Sequence, residues 1–231
     1  MRDMTILAGA AALATLCGTT MAGLGTNPVD TLVIADSLAD YGGNQGENGW
    51  FYGYYDGDVP SAFTPDDFEL MNVYDEANDR WWVDNGPNGP ITLIDSVFMH
   101  PNAPLGTTEI ASDVQWSVRR WVSDINGPVS IDVDLVRGNP EFAGDGIKLH
   151  VFVDGLRMLV IDLFADNDAG LSFSLAALVE QGSVIDFAVD PIDNALFDAV
   201  RFNAVITSPV PAPGALALIG LGGLVATRRR R

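Results

Sequence analysis

Val129-Ser-Ile-Asp-Val-Asp-Leu-Val136 decides the fold. Val129, Ile131, Val133 and Leu135 occupy every second position, with Ser130, Asp132 and Asp134 between them. Successive side chains of a strand point to opposite faces, so this stretch reads as a strand with one apolar and one wet face. Ile147 to Val153 repeats the pattern, with Ile147, Leu149, Val151 and Val153 inward and Lys148, His150 and Phe152 opposite. Asp154-Gly155 is a strong hairpin signal, and Met158 to Phe164 returns as its partner strand. Further out lie Gln115 to Val122, Gly170 to Leu178, Val184 to Val189 and Val200 to Ile206, separated by Gly, Asp and Asn turns. Short, regularly spaced strands without a helical period predict an all-β fold, an antiparallel β-sandwich of jelly-roll type.

Towards the N-terminus, Thr31 to Ala35 is a short β-branched run that reads as a buried strand. Gly49-Trp-Phe-Tyr-Gly-Tyr-Tyr55 is the densest aromatic stretch. Period two puts Trp50, Tyr52 and Tyr54 on one face, and Phe51 and Tyr55 on the other. Residues 56–113 are rich in Pro, Gly, Asp and Asn, with short strand candidates at Ile91 to Ile94 and at Val97-Phe98. Such a length without a strong period predicts a loop-rich functional insert. Nothing marks an interior boundary, so a single domain is expected over residues 23–208.

The two ends read differently. Met1 to Ala22 has Arg2 near its start, an uncharged run from Ile6 to Cys17, and small residues before a cleavage point after Ala22. This is the pattern of a signal peptide read by signal peptidase. Cys17, the chain's one cysteine, lies in that apolar run, so the mature protein has no disulfide and no thiol chemistry. The far end is Val210-Pro-Ala-Pro-Gly214, then the apolar Ala215 to Thr227, then Arg228, Arg229, Arg230 and Arg231. The prolines make a stiff, non-helical joint. An apolar helix over 215–227 is shorter than a ~30 Å hydrocarbon core. It would sit in a membrane transiently, with the arginines held on the cytoplasmic side.

Residues 209–231 resemble a PEP-CTERM sorting signal. Pro211, Pro213, Gly214, the Gly/Ala/Leu run and Arg228 to Arg231 carry the resemblance, and Ala212 stands where that signal usually has Glu. The resemblance implies recognition by an exosortase-type membrane protease and delivery to the cell surface or extracellular matrix. Phe152-Val-Asp-Gly155, Gly182 to Phe187 and Asp198 to Phe202 loosely resemble lectin-like and galactose-binding-like sandwich modules. That second resemblance implies fold more than activity.

Charge excludes one large class of function. There are 31 acidic residues against 12 basic ones, five of which, Arg2 and Arg228 to Arg231, lie in the two end segments. Such a surface repels phosphate backbones, so no nucleic-acid partner is expected. The acidity suits solubility in a cation-rich medium, or calcium held by carboxylates.

No reaction is legible. Asp132 and Asp134 share a face at the separation of paired acids, but so do many pairs in so acidic a chain. His100 and His150 are the only histidines, and no Gly-x-Ser-x-Gly elbow accompanies them. Two distant histidines make a poor zinc site. A non-enzyme is therefore expected, with no required cofactor. Asp145, flanked by Gly144 and Gly146, and Asp190 and Asp193 put oxygen ligands on tight loops and are the candidates for a structural calcium. Ordinary Asx turns are the other reading of those loops. Sugar binding would rest on aromatic rings with nearby polar groups. Trp81 and Trp82 are adjacent, so one should point away from the core, beside Asp79 and Arg80. Trp50 and Tyr54 are further candidates. Of Arg119 and Arg120, one is expected to face out and the other to pair with a carboxylate under the aromatic cluster. The expected function is an exported surface or matrix protein whose sandwich binds polysaccharide or a surface partner. The alternatives are a purely structural matrix protein and a secreted polysaccharide hydrolase.

Overall fold

The computed structural model describes residues 30–56, 66, 68–83, 90–103, 114–138 and 144–210. The expected signal peptide, transmembrane segment and arginine cluster lie outside these residues, as do Pro211, Pro213 and Gly214. Among the described residues no helix is long and apolar enough to cross a membrane.

The domain is all-β and antiparallel, as the alternation of Val129 to Val136 predicts. The strands are β1 (Thr31–Asp36), β2 (Trp50–Asp56), β3 (Phe68–Leu70), β4 (Val73–Asp75), β5 (Arg80–Trp82), β6 (Leu93–Asp95) and β7 (Phe98–His100). They continue as β8 (Gln115–Val122), β9 (Gly127–Arg137), β10 (Gly146–Val153), β11 (Leu156–Phe164), β12 (Leu171–Val179), β13 (Val184–Asp190) and β14 (Val200–Pro209). One sheet of eight strands runs β12-β9-β14-β7-β6-β5-β4, with β1 also on β14. The other, of six, runs β11-β10-β13-β8-β2-β3. Strand β14 ends at Pro209, and the Val210 amide donates to the Asp30 carbonyl at 2.8 Å, so the sandwich reaches the joint that precedes the tail.

The core lies between the sheets. Ile131, Val133 and Leu135 of β9 meet Leu149 and Val151 of β10 and Ile185, Phe187 and Val189 of β13, all buried. Asp132 and Asp134 face out and accept the hydroxyls of Ser174 and Ser172 across the β9–β12 ladder. They form a solvated strand face. At the β10–β11 hairpin, Asp154 and Gly155 both have positive φ, 49° and 76°, the left-handed pair of a tight type I′ turn.

Both faces of the six-stranded sheet are covered at its middle strands, while β11 at its edge stays largely exposed. On its outer face Tyr55, Trp116, Val118, Phe152 and Ala188 form a second buried cluster. Asp186, 1% exposed, takes the Arg120 guanidinium in two bonds, at 2.6 and 2.8 Å, and also accepts the Tyr55 hydroxyl. His150 stacks on Trp116 at 4.2 Å. The polar-looking side of β10 is thus interior. A close approach fixes β3 as well: a Cβ on the buried Gly53 would run into the Glu69 backbone carbonyl and the Phe68 ring. Gly53→Ala is expected to cost roughly 1–3 kcal/mol by overpacking, read as a lower denaturant midpoint with unchanged slope.

The inner face holds one cation. Arg119 is 0% exposed. Its Nη1 donates to the Ser37 carbonyl at 2.7 Å, and its Nη2 to the carbonyls of Asp95 and Ser96. The guanidinium lies 5.7 Å from the Tyr41 ring and 5.6 Å from the Phe202 ring. Burial lowers its pKa to about 10, so it stays charged at neutral pH. The expectation that one arginine of the pair faces out is corrected. Arg119 bridges the two sheets through carbonyls, and Arg120 is sheltered over the Phe68 ring at 3.9 Å while paired with Asp186.

Candidate functional site

The aromatic candidates divide by strand parity. Trp50, a candidate ring for sugar, is 0% exposed and packs near Phe187 at 6.2 Å, so it presents no face to a ligand. Trp81 is corrected in the same way. It points inward, stacks on Tyr52 at 5.9 Å and donates its indole N–H to the Gly42 carbonyl. Trp82 takes the opposite face of β5 and is half-buried, with the Arg80 guanidinium 4.3 Å over its ring. Arg80 reaches the Asp75 carboxylate at 3.5 Å, and the Tyr74 hydroxyl donates to Asp79. Tyr54 is half-buried and spends its hydroxyl on Glu69 at 2.7 Å. One face of the Trp82 ring is therefore already covered by its own neighbour.

A better-formed concavity lies between β1 of one sheet and the β2–β8 end of the other. It is a cleft of about 320 Å³ lined by Ile34, Asp40, Asn48, Gly49, Trp121, Val122 and Asp124. Local backbone chemistry shapes it. Gly46, Asn48 and Gly49 all have positive φ, at 83°, 52° and 81°, a region glycine enters freely and asparagine tolerates. A Cβ on Gly49 would lie 2.9 Å from the Val122 carbonyl and 3.1 Å from Trp121 Nε1, so only glycine lets this loop lie against β8. Asp40 accepts the Asp36 amide at 2.7 Å, which closes the turn after β1. Asn48 and Asp124 are exposed at the rim. Among the described residues the lining offers two carboxylates, an amide and apolar walls from Ile34, Trp121 and Val122, and no basic side chain. Carboxylates accept hydroxyl hydrogens and the amide both donates and accepts, so the cleft suits a neutral, hydroxyl-rich ligand.

The calcium candidates are placed differently from expectation. Among the described residues no group of three or more His, Cys, Asp or Glu side chains is arranged to hold a metal. Asp145, Asp190 and Asp193 therefore do not form the expected set of ligands. Asp193 is exposed and contributes its amide, which donates with that of Asn194 to Asp145 Oδ2 at 3.0 and 3.2 Å. Asp190 accepts the Ile192 amide at 3.0 Å and meets His150 Nε2 at 3.3 Å. These are Asx-type turns satisfying loop backbone. Sequence reasoning missed Asp198, which is 2% exposed beside this group. Burial first, and the Asp145 carboxylate second, push its pKa up to about 8. Asp198 continues the inward parity of Val200, Phe202 and Ala204, and a lone acid in that register was the available signal.

No protein-family model matches the chain, and no curated protein matches it. Among solved structures, part of the chain is similar to a family 51 carbohydrate-binding module and adjoining domains of Clostridium perfringens ZmpB, in complex with GlcNAc. That overlap has 16% identity over 48% of this chain and 25% of that one, with a TM-score of 0.33. It is also similar to a family 35 carbohydrate-binding module from Clostridium thermocellum, at 9% identity over 47% of this chain and 89% of that one, TM-score 0.29. A second Clostridium perfringens family 51 module, in complex with methyl-galactose, gives 11% identity over 47% and 79%, TM-score 0.29.

Proposed function

We propose that the chain is an exported, non-catalytic protein of the cell surface or extracellular matrix whose β-sandwich binds a neutral polysaccharide. The observation that carries the binding reading is the cleft between β1 and the β2–β8 end, with its two carboxylates, its amide and its lack of basic groups. The net charge of −19 works the same way, since it disfavours anionic polymers. Export rests on the two end segments: signal peptidase removes residues 1–22, and an exosortase-type protease acts at the Pro211–Gly214 joint while the apolar helix sits in the membrane.

On a glycan array the purified chain is expected to bind neutral saccharides. Asp124→Ala and Asn48→Ala should each weaken binding about tenfold, the worth of one lost hydrogen bond to the ligand. The melting temperature of Asp124→Ala should not change, because its side chain lies exposed at the rim. Asn48→Ala should melt slightly lower, because alanine tolerates the positive φ of residue 48 less well than asparagine. Trp82→Ala should leave binding intact. Loss only in Trp82→Ala would move the site to the outer face of β5, and no bound glycan at all would overturn the reading. Cell fractionation with intact-mass analysis tests sorting separately. A surface form lacking residues 1–22 and the tail beyond Pro213 is expected, and full-length chain retained in the cytosol would refute export.

A further inference from the structure

Asp145, just before β10, and Asp198, just before β14, bring together more negative charge than the described residues compensate. Asp198 is buried, and neither of its carboxylate oxygens accepts a hydrogen bond from the protein. Asp145 is half-buried. Its Oδ2 serves two amides, but its Oδ1 is buried and also accepts none. Asp190 is the third carboxylate whose charge is felt at Asp198, and Arg137 is the cation felt there. Arg137 also donates to the Ala165 carbonyl. Three carboxyl groups face one guanidinium, so ionising Asp198 leaves an excess of negative charge that a divalent cation would offset.

The backbone at Gly144 brings oxygen atoms close together. A Cβ built on Gly144 would lie 2.7 Å from the Leu196 carbonyl oxygen and 3.3 Å from Asp198 Oδ1, with Arg137 Nη2 at 3.7 Å. A carbonyl and a carboxylate thus converge on a glycine whose missing side chain would otherwise fill the space. These donors among the described residues are oxygen, the preference of a hard cation. His150, a softer donor, is already directed at Asp190. Loops rather than rigid strands supply the ligands. That suits the irregular, oxygen-rich shell of calcium better than the near-octahedral demand of magnesium.

We propose that Asp198 and Asp145, with the Leu196 carbonyl, hold one calcium ion between the β9–β10 and β13–β14 connections. The ion ties the start of β10 to the start of β14 and neutralises the buried carboxylate oxygens that accept no hydrogen bond from the protein. Backbone carbonyls and water complete its shell, which is consistent with the lack of a three-side-chain cluster among the described residues.

The test uses the full chain stripped with a chelator and then titrated with calcium, read by calorimetry and by thermal melting. One site per chain and a rise in melting temperature of several degrees are expected, as for any ligand that binds only the folded state, with a weaker response to magnesium. Asp198→Asn and Asp145→Asn should each lower calcium affinity at least about tenfold, by removing a charged ligand. Asp145→Asn keeps an oxygen for the amides of Asp193 and Asn194, so it should still fold. Asp193→Asn should bind as the parent does, because the Asp193 carboxylate is outside the set. No binding heat and no shift in melting temperature for the parent chain would overturn the proposal. Unchanged binding in Asp198→Asn, or equal loss in Asp193→Asn, would overturn it too, by reducing the effect to screening of surface charge.

Discussion

Arg119→Leu is expected to lower the free energy of unfolding by about 4 kcal/mol and the melting temperature by roughly 10 °C. The guanidinium is 0% exposed and bonds three carbonyls: Ser37, in the turn after β1, and Asp95 and Ser96, between β6 and β7. Each bond from a charged donor is worth more than a neutral one, and each buried carbonyl left without its partner carries a desolvation cost. Relief from burying a cation recovers part of the loss, because the site desolvates Arg119 enough to lower its pKa to about 10. Arg119→Lys should rescue little, since a single ammonium cannot span carbonyls on two different turns as the planar fork does. Denaturant melts of the parent and both variants check this. A leucine variant within 1 kcal/mol of the parent, the ordinary range of small effects, would show that the carbonyls find other donors.

Asp198→Asn should act in the opposite direction. In the presence of a chelator it is expected to raise the melting temperature at pH 8, by removing a buried charge that has no protein partner. The pH dependence follows from the direction of the shift. The folded-state pKa, about 8, lies above the ordinary 3.8. Between those values the folded state binds more protons than the unfolded state, so this residue's contribution to stability falls as pH rises. It is fully present below about pH 4 and is lost by the time pH passes 8. The gap between variant and parent should therefore be wide at pH 8 and close towards pH 4. Comparing the two chains at each pH cancels the titration of the other carboxylates. A gap that stays constant with pH would mean that Asp198 does not titrate in this window.

Much of the architecture was legible because strands with one wet face announce themselves. Val129, Ile131, Val133 and Leu135 predicted β9 and its orientation, and Asp154-Gly155 predicted the turn between β10 and β11. What could not be read has physical reasons. Three-residue strands such as β3, β4 and β5 are too short to show a period. The outer face of β10 carries His150, which looks solvent-facing in the sequence but is buried against Trp116 of the second cluster. Trp50 and Trp81 could be placed on a face, but which face met the core depended on pairing across the sheet. The cleft joins Ile34, Asp40, Asn48, Trp121 and Asp124, far apart in sequence and brought together only by the meeting of two sheet ends. Asp145 and Asp190 were found because glycine and turn residues mark their loops, whereas Asp198 sits at the start of an apolar run and looked like part of it.

The middle of the six-stranded sheet, covered on both sides, has a further consequence for how the molecule breathes. Strands β8, β10 and β13 are paired on both edges and packed above and below, so their amides can exchange with deuterated water only when the whole domain opens. The β4–β5–β6 arm is held at the margin of the other sheet by ladders of only two or three residue pairs, and its amides should exchange first. Slow exchange in β8 and β13 beside fast exchange in β4 and β5 would show a domain whose rigid spine lies under one sheet while the opposite margin stays free to yield.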